Sequence, residues 1–539
     1  MGRGPQLNEF QKGQIVVWKQ NQETVQFMSK SLGVSRTAIS NFLKDPTNYG
    51  KRFGRGRPSK LSPTDVRHIY RTASKPDSTP PPPWSRTDKF IPDPHVGLDA
   101  GQIARQDAVK RAMQHAWSGY ESLAFGADEV APVSGERRHN VWGGIGVTLV
   151  DSLDTLYIMG MHDEFHRARN WVAYHMNFTQ LGADGTKISV FEIVIRQLGG
   201  LLSAYDLSRD AMFKQRAVEL ADRLLPAFKH GVFYTHFNVF TNETGLLADF
   251  GTLQLEMRYL SDITDNALYR EMVLYTVLLV FIHGTGGPYS TDFHQGDAFY
   301  TAVRREGSFE NTGLFPVEYE PETGHFATED TIITIGARGD SFYEYLLKVW
   351  LYSGKRTDDL FLRQLYDDAV AGMETHLLVY STIDDVYYLK ELQLPEMYVR
   401  MLALGTVGES NATKVTKHLA LAKKLMHTCV SYYTRQPTGL APDVVGFPGF
   451  DVLNSVYILR PETVESLMYM YRITHDPIYR EWGWAIFEAI EKHAKTTFGY
   501  GAVWNVHNLT DAFIEDKMES FFLAETLKYH YLLQSAPSF

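Results

Sequence analysis

Glu462 and Glu465 stand three residues apart in the stretch 459–472, LRPETVESLMYMYR. Carboxyls three apart are neighbours on a helix surface, and both fall in the first turn, which would put any chemistry at the N-terminal end of the helix. The spacing of Val464, Leu467, Met468 and Tyr471 predicts a helix with one apolar stripe, and Pro461 suits its first position, where a missing N–H is harmless. Free N–H groups at that end also favour anions, so from this helix alone the pair reads more readily as a stabilised helix start.

The pattern recurs. Ser189-Val190-Phe191-Glu192 opens a predicted helix over 193–205, with Arg196 one turn on. Gly339-Asp340 opens another over 341–351, preceded by Arg338, and Asp516-Lys517-Met518-Glu519 opens a third, with Glu525 beyond it. Each has a local explanation too: Ser189 with Glu192 is a capping box, and Asp340 is a good N-cap. What must position these groups shows in a cadence of aromatic, short Asp-containing turn and aromatic. It runs Tyr157 to Phe165, Tyr205 to Phe213, Tyr259 to Tyr269, Trp350 to Phe361 and Tyr471 to Tyr479, and predicts stacked helical hairpins. Their uneven spacing favours a closed α/α toroid over an open solenoid. In such a ring, alternate helix starts converge on one end of the centre. Carboxylates gathered there with Arg196, Arg338 and Arg460 would be costly as structure alone. Carboxyls flanking a sugar, aromatics to stack on it and arginines for its hydroxyls are the equipment of glycoside hydrolysis.

The chain has 539 residues, 44% hydrophobic and 13% aromatic, enough for a large core. Residues 1–75 hold 14 Lys and Arg against 4 Asp and Glu, a charge of +10; the remaining 39 and 59 put −20 on the rest. A basic head on an acidic body predicts two modules with different partners. The single cysteine, Cys429, excludes an internal disulfide. No run of 18 apolar residues occurs, so no transmembrane helix is expected, and the start, MGRGPQLNEFQKGQ, lacks the apolar core of a signal peptide.

In the head, residues 8–20 and 23–30 read as short helices. Gly33 turns the chain, and Ser35 can cap a third helix over 36–43. That is a helix-turn-helix in which Arg36, Thr37 and Ser40 would face DNA, while Arg55 and Arg57 in the arm KRFGRGRPSK would enter a minor groove. With its SRTAISNFL and GRP stretches this module resembles the DNA-binding region of mariner-like transposases. The alternative is a small helical bundle with a solvated basic tail. Residues 76–97, with Pro80 to Pro83, form a Pro-rich linker. The expected domains are therefore 1–75, 76–97 and a barrel over 98–539.

The body resembles the class I α-1,2-mannosidases, glycoside hydrolase family 47. The resemblance rests on GVTLVDSLDTL at 146–156, FEIVIRQLGGLLSAY at 191–205, QLE at 254–256, GARGDSFYEYLLK at 336–348 and LRPETVES at 459–466. It implies an all-α fold, an (α/α)7 barrel, that removes terminal α-1,2-linked mannose from high-mannose N-glycans by inversion with bound Ca2+. It further implies Glu192 as general acid, Glu462 as general base and Asp340 as a further catalytic carboxylate. Arg196, Glu256, Arg338, Asp443, Arg460 and Glu465 would line the sugar site, and Glu525 would hold waters around the metal. A monomer working in the endoplasmic reticulum or Golgi lumen is the implied setting, and sequons at Asn177, Asn242, Asn411 and Asn508 suit it.

Three departures accompany the resemblance. The threonine that binds calcium directly in the family has no counterpart before Phe539. An Asp-His segment gives way to residues 393–400, QLPEMYVR, leaving Cys429 as half of a lost disulfide. A transposase-like head stands where an anchor or signal is usual. These predict a C-terminally truncated barrel and a fused or mis-assembled gene product. Two rival readings follow: a lectin-like protein that binds mannose without cleaving it, and a DNA-binding protein carrying the barrel as cargo.

Overall fold

The computed structural model describes residues 24–32, 36–44, 93–139, 141–181, 188–224, 228–229, 232–233, 236–237, 245–270, 303, 307–320, 325–326, 332–390 and 396–539. The chain divides into two compact units, Met1–Trp84 and Ser85–Phe539.

In the first unit the helices Val25–Leu32 and Arg36–Lys44 pack together. Ile39 is buried, Ser40 half-buried and Arg36 exposed. The helix expected over 8–20, the arm with Arg55 and Arg57, the side chain of Thr37 and the stretch 76–92 lie outside the described residues.

The second unit is a ring of helices in two layers. Among the described residues seven inner segments follow one another: 147–158, 190–208, 247–264, Asp340–Tyr352, Glu396–Gly405, Glu462–Thr474 and 522–534. Each packs on the next, and the last returns to the first. Among the described residues six outer helices alternate with them: Ala100–Ala124, His162–Tyr174, Ala211–Leu224, Leu360–Gly372, Ala412–Thr434 and Ile478–His493. Ala100–Ala124 packs on Leu527–Gln534, so the two ends of the unit meet. Gln106 donates to Ser535 Oγ at 2.7 Å, and the Ala536 N–H donates to the Pro94 carbonyl at 2.8 Å.

The joins explain the cadence. At three of them the first helix ends on a left-handed residue, Arg209, Asp265 or His475 (φ 57°, 54° and 57°), which turns the chain back. An acidic or amide side chain then accepts an N–H of the next helix: Asp210 from Met212 at 3.0 Å, Asn266 from Leu268 at 3.2 Å, Asp476 from Ile478 at 3.1 Å. At the second join Asn266 does this, and the expected Asp265 supplies the turn. The inner helices approach closely where glycine permits it. A Cβ on Gly200 would stand 2.5 Å from the Val150 carbonyl, and one on Gly251 2.5 Å from the Phe342 ring.

Short two-stranded hairpins interrupt the connections, among them Leu378–Ser381 with Val386–Leu389 and Val444–Gly446 with Asp451–Asn454. Cys429 is buried in the helix Ala412–Thr434. Among the described residues no helix is long and apolar enough to cross a membrane.

Candidate active site

Consecutive inner helices begin with, or soon reach, a carboxylate. Glu192 closes the first turn of the segment 190–208, with the Ser189 hydroxyl accepting its N–H at 3.2 Å. Only that half of the expected capping box forms. The Glu192 carboxylate turns instead to Arg196, whose Nε donates to Oε2 at 2.8 Å. Arg196 lies in a widened π turn, Ile193–Leu198, of the kind often retained at functional sites. Its Nη1 donates to Ser520 Oγ at 3.0 Å, and its guanidinium stands 5.1 Å from the Trp142 ring and 5.6 Å from the Phe521 ring. Ser520 in turn donates to Asp151 at 2.5 Å.

Asp340 is the first residue of its helix and Gly339 the cap, one position from the expected arrangement. Burial pushes its carboxyl up to about 6; the Ser341 N–H opposes the shift and the charge of Glu462 adds to it. Glu462 likewise opens its helix, with Pro461 in the cap position rather than the first. Arg460 stands 3.8 Å from Glu462 Oε1 and donates through Nε to Asp443 at 2.8 Å, while Glu462 Oε2 is buried with no hydrogen-bond partner. Glu525 lies in a second π turn, Phe522–Thr526. Burial, with Asp151 and then Glu462 adding, raises its carboxyl to about 7 against the pull of Lys528 and Arg196.

Asp249, in the short helix Leu247–Gly251, joins this group. Burial lifts its carboxyl to about 7, and Glu192 and Asp340 are the charges that lift it further. Glu256 is raised to about 7 by burial; one oxygen accepts from the Tyr345 hydroxyl at 2.8 Å and the other is buried without a partner. The charges are thus felt from neighbour to neighbour, Glu192 with Asp249, Asp249 with Asp340, Asp340 with Glu462 and Glu462 with Glu525.

Three other residues have different surroundings. Arg338 is exposed at φ 81° and pairs with Glu318 at 2.8 Å; its carbonyl accepts the N–H of Ala248, tying its loop to the Asp249 helix. Glu465 is buried in an ion pair with Arg400. Asp516 opens no helix: it accepts from the N–H groups of Val133 at 2.7 Å and Ser134 at 3.2 Å, and the helical turn begins only after Glu519. Three residues carried no role in the sequence reading: Asp151, Asp249 and Arg400. The available signal for Asp249 was a lone carboxyl inside the otherwise apolar GLLADFG at 245–251.

Residues 112–282 and 293–539 match the sequence profile of glycosyl hydrolase family 47, and residues 3–52 that of the Tc3 transposase. The chain is 38% identical over 459 residues to a mannosyl-oligosaccharide 1,2-alpha-mannosidase of Arabidopsis thaliana, covering 80% of this chain and 75% of that one. It is 36% identical to the human endoplasmic reticulum mannosyl-oligosaccharide 1,2-alpha-mannosidase, covering 89% of this chain and 66% of the relative. The structure is similar to the alpha-1,2-mannosidase from Trichoderma reesei, with a TM-score of 0.68 and 27% identity over 80% of this chain and 93% of the other.

Proposed function

The chain belongs to glycosyl hydrolase family 47, and from that premise we propose that it hydrolyses terminal α-1,2-linked mannose on high-mannose N-glycans, with inversion at the anomeric carbon. The observation that carries this reading is the gathering of Glu192, Asp249, Asp340, Glu462 and Glu525 from five of the inner segments, each near enough to the next to feel its charge. Such an arrangement costs stability and is characteristic of a site.

In this reading Glu192 gives its proton to the glycosidic oxygen as the bond from C1 breaks. Glu462 takes a proton from a water as that water's oxygen bonds to C1 from the opposite face. The buried, unpartnered Oε2 of Glu462 is the atom we assign to that proton. Asp340, beside Glu462 in charge, would steady the positive charge that develops on the sugar. Arg196 and Arg460 each bind a carboxylate, and Arg196 would present its remaining N–H groups to hydroxyls.

Calcium is part of the proposal by charge rather than by a ready-made cage. Among the described residues no three His, Cys, Asp or Glu side chains are grouped to grip a metal. Glu525 would hold the ion through water, and the bound ion would supply a hard charge that orients sugar hydroxyls. The setting we propose is the lumen of the secretory pathway.

The test is release of mannose from a high-mannose glycan by the full chain, with and without calcium, beside Glu462→Gln. Release that the substitution abolishes supports the reading. Binding of mannose with no release at any calcium concentration would replace hydrolysis by a lectin-like role.

The profile match at residues 3–52 favours a second reading for the first unit alone, contact with DNA.

A further inference from the structure

Arg400 lies on the inner helix Glu396–Gly405, between the helices that begin with Asp340 and Glu462. It is 7% exposed. Its Nη2 donates to Glu344 at 2.8 Å, and its Nη1 pairs with Glu465. Glu344 stands one turn beyond Asp340, and Glu465 one turn beyond Glu462. A single planar guanidinium therefore holds both helices that present catalytic carboxylates, each through a carboxylate on the following turn. A fork of this kind fixes direction as well as distance, which a lysine cannot reproduce.

Stability alone does not explain it. Buried ion networks are often no better than apolar packing of the same volume. Lys348 supplies Glu344 with another cation at 2.7 Å, so Arg400 is not needed merely to neutralise it. The charged and titratable groups around the guanidinium are Glu344, Glu465, Glu462, Asp340, Lys348, Tyr469 and Tyr529.

We propose that Arg400 is a positioning residue: by clamping Glu344 to Glu465 it sets the separation and aim of Asp340 and Glu462. This rests on the hydrolytic reading above. The comparison is the full chain with Arg400→Met, Arg400→Lys and, as a control, Arg258→Met. Arg258 makes a buried ion pair with Asp359 at 3.2 Å that reaches neither Asp340 nor Glu462.

Mannose release is measured per folded molecule, together with hydrogen exchange. Arg400→Met is expected to lower kcat on the order of 100-fold with KM little changed, because a displacement of about 1 Å suffices for that. Arg400→Lys should recover part of the loss. Arg258→Met should lower the melting temperature comparably and keep kcat. Exchange protection over 341–347 and 463–468 should fall together in Arg400→Met and not in the control. Equal kcat per folded molecule in Arg400→Met and Arg258→Met would overturn the proposal. If the unaltered chain releases no mannose, the hydrolytic reading fails, and exchange still judges the clamp: loss at one helix alone, or throughout the ring, rejects it.

Discussion

Glu192 and Asp151 share one cation. Arg196 donates through Nε to Glu192 at 2.8 Å and through Nη1 to Ser520, whose hydroxyl donates to Asp151 at 2.5 Å. Asp151 is itself pushed up by burial, and the charge of Arg196 is the chief opposing influence. The proposed proton donor is therefore wired to a buried acid on the neighbouring inner segment.

Removing that cation strands both acids. Arg196→Met is expected to destabilise the second unit by about 3–5 kcal/mol, the usual result of leaving part of a buried pair uncompensated. Arg196→Lys should recover under half, since an ammonium cannot reach Glu192 and Ser520 in one plane. Denaturant unfolding of the full chain checks this; a loss below about 1 kcal/mol, as for an exposed ion pair, would contradict it.

The raised carboxyls give stability a definite slope with pH. Burial moves Asp340 to about 6 and Asp249, Glu256 and Glu525 to about 7, from ordinary values of 3.8 for Asp and 4.5 for Glu. At intermediate pH the folded chain consequently holds protons that the unfolded chain has released, so raising the pH favours unfolding. Their contribution is complete below the ordinary values and is lost as pH climbs through 6 to 7. Each such proton is worth about 1.4 kcal/mol per pH unit over its range. The melting temperature should fall from pH 5.5 to 8, and Glu256→Gln should flatten the fall. A profile that rises over that range would refute the burial of these groups.

Contact of the first unit with DNA would be electrostatic in origin. Residues 1–75 carry +10, and Arg36 is exposed at the start of its helix. Binding of the full chain to a duplex should weaken steeply as salt rises, with a logarithmic slope near −0.9 per phosphate neutralised. Arg36→Ala should reduce that slope by about one contact. Binding unaffected by salt would rule out this reading.

Much of the ring could be read in advance because each hairpin announces itself locally. Aromatics and an acidic turn residue mark the joins, and a carboxylate at a helix start is visible one element at a time. Ring partners are not visible in that way. Glu465 has the same local signature as Glu462, yet it is buried against Arg400, which approaches from another helix. Ser189 and Glu192 obey the capping pattern, but Arg196 outcompetes the Ser189 N–H for the carboxylate, since a charged donor makes the stronger bond. Asp516 looks like a helix opener and serves instead as an acceptor for the loop at Val133 and Ser134, 383 residues away in sequence.

Asp249 tests whether the unread part of the site matters. Its carboxyl is lifted to about 7 by burial and by the charges of Glu192 and Asp340, so above that pH the folded chain carries an unfavourable anion. Asp249→Asn removes the anion and keeps the shape. At pH 8 the substituted chain should therefore be more stable by roughly 2–4 kcal/mol, and the gain should vanish below about pH 4. If Asp249 belongs to the catalytic cluster, kcat/KM for mannose release should fall at least about tenfold in the same protein, the trade of activity for stability expected of a strained site. A gain in stability with full activity would make Asp249 a bystander, buried beside the chemistry without serving it. Loss of both would mean that the carboxylate holds the inner helix Leu247–Gly251 in place, a structural duty that the amide cannot perform.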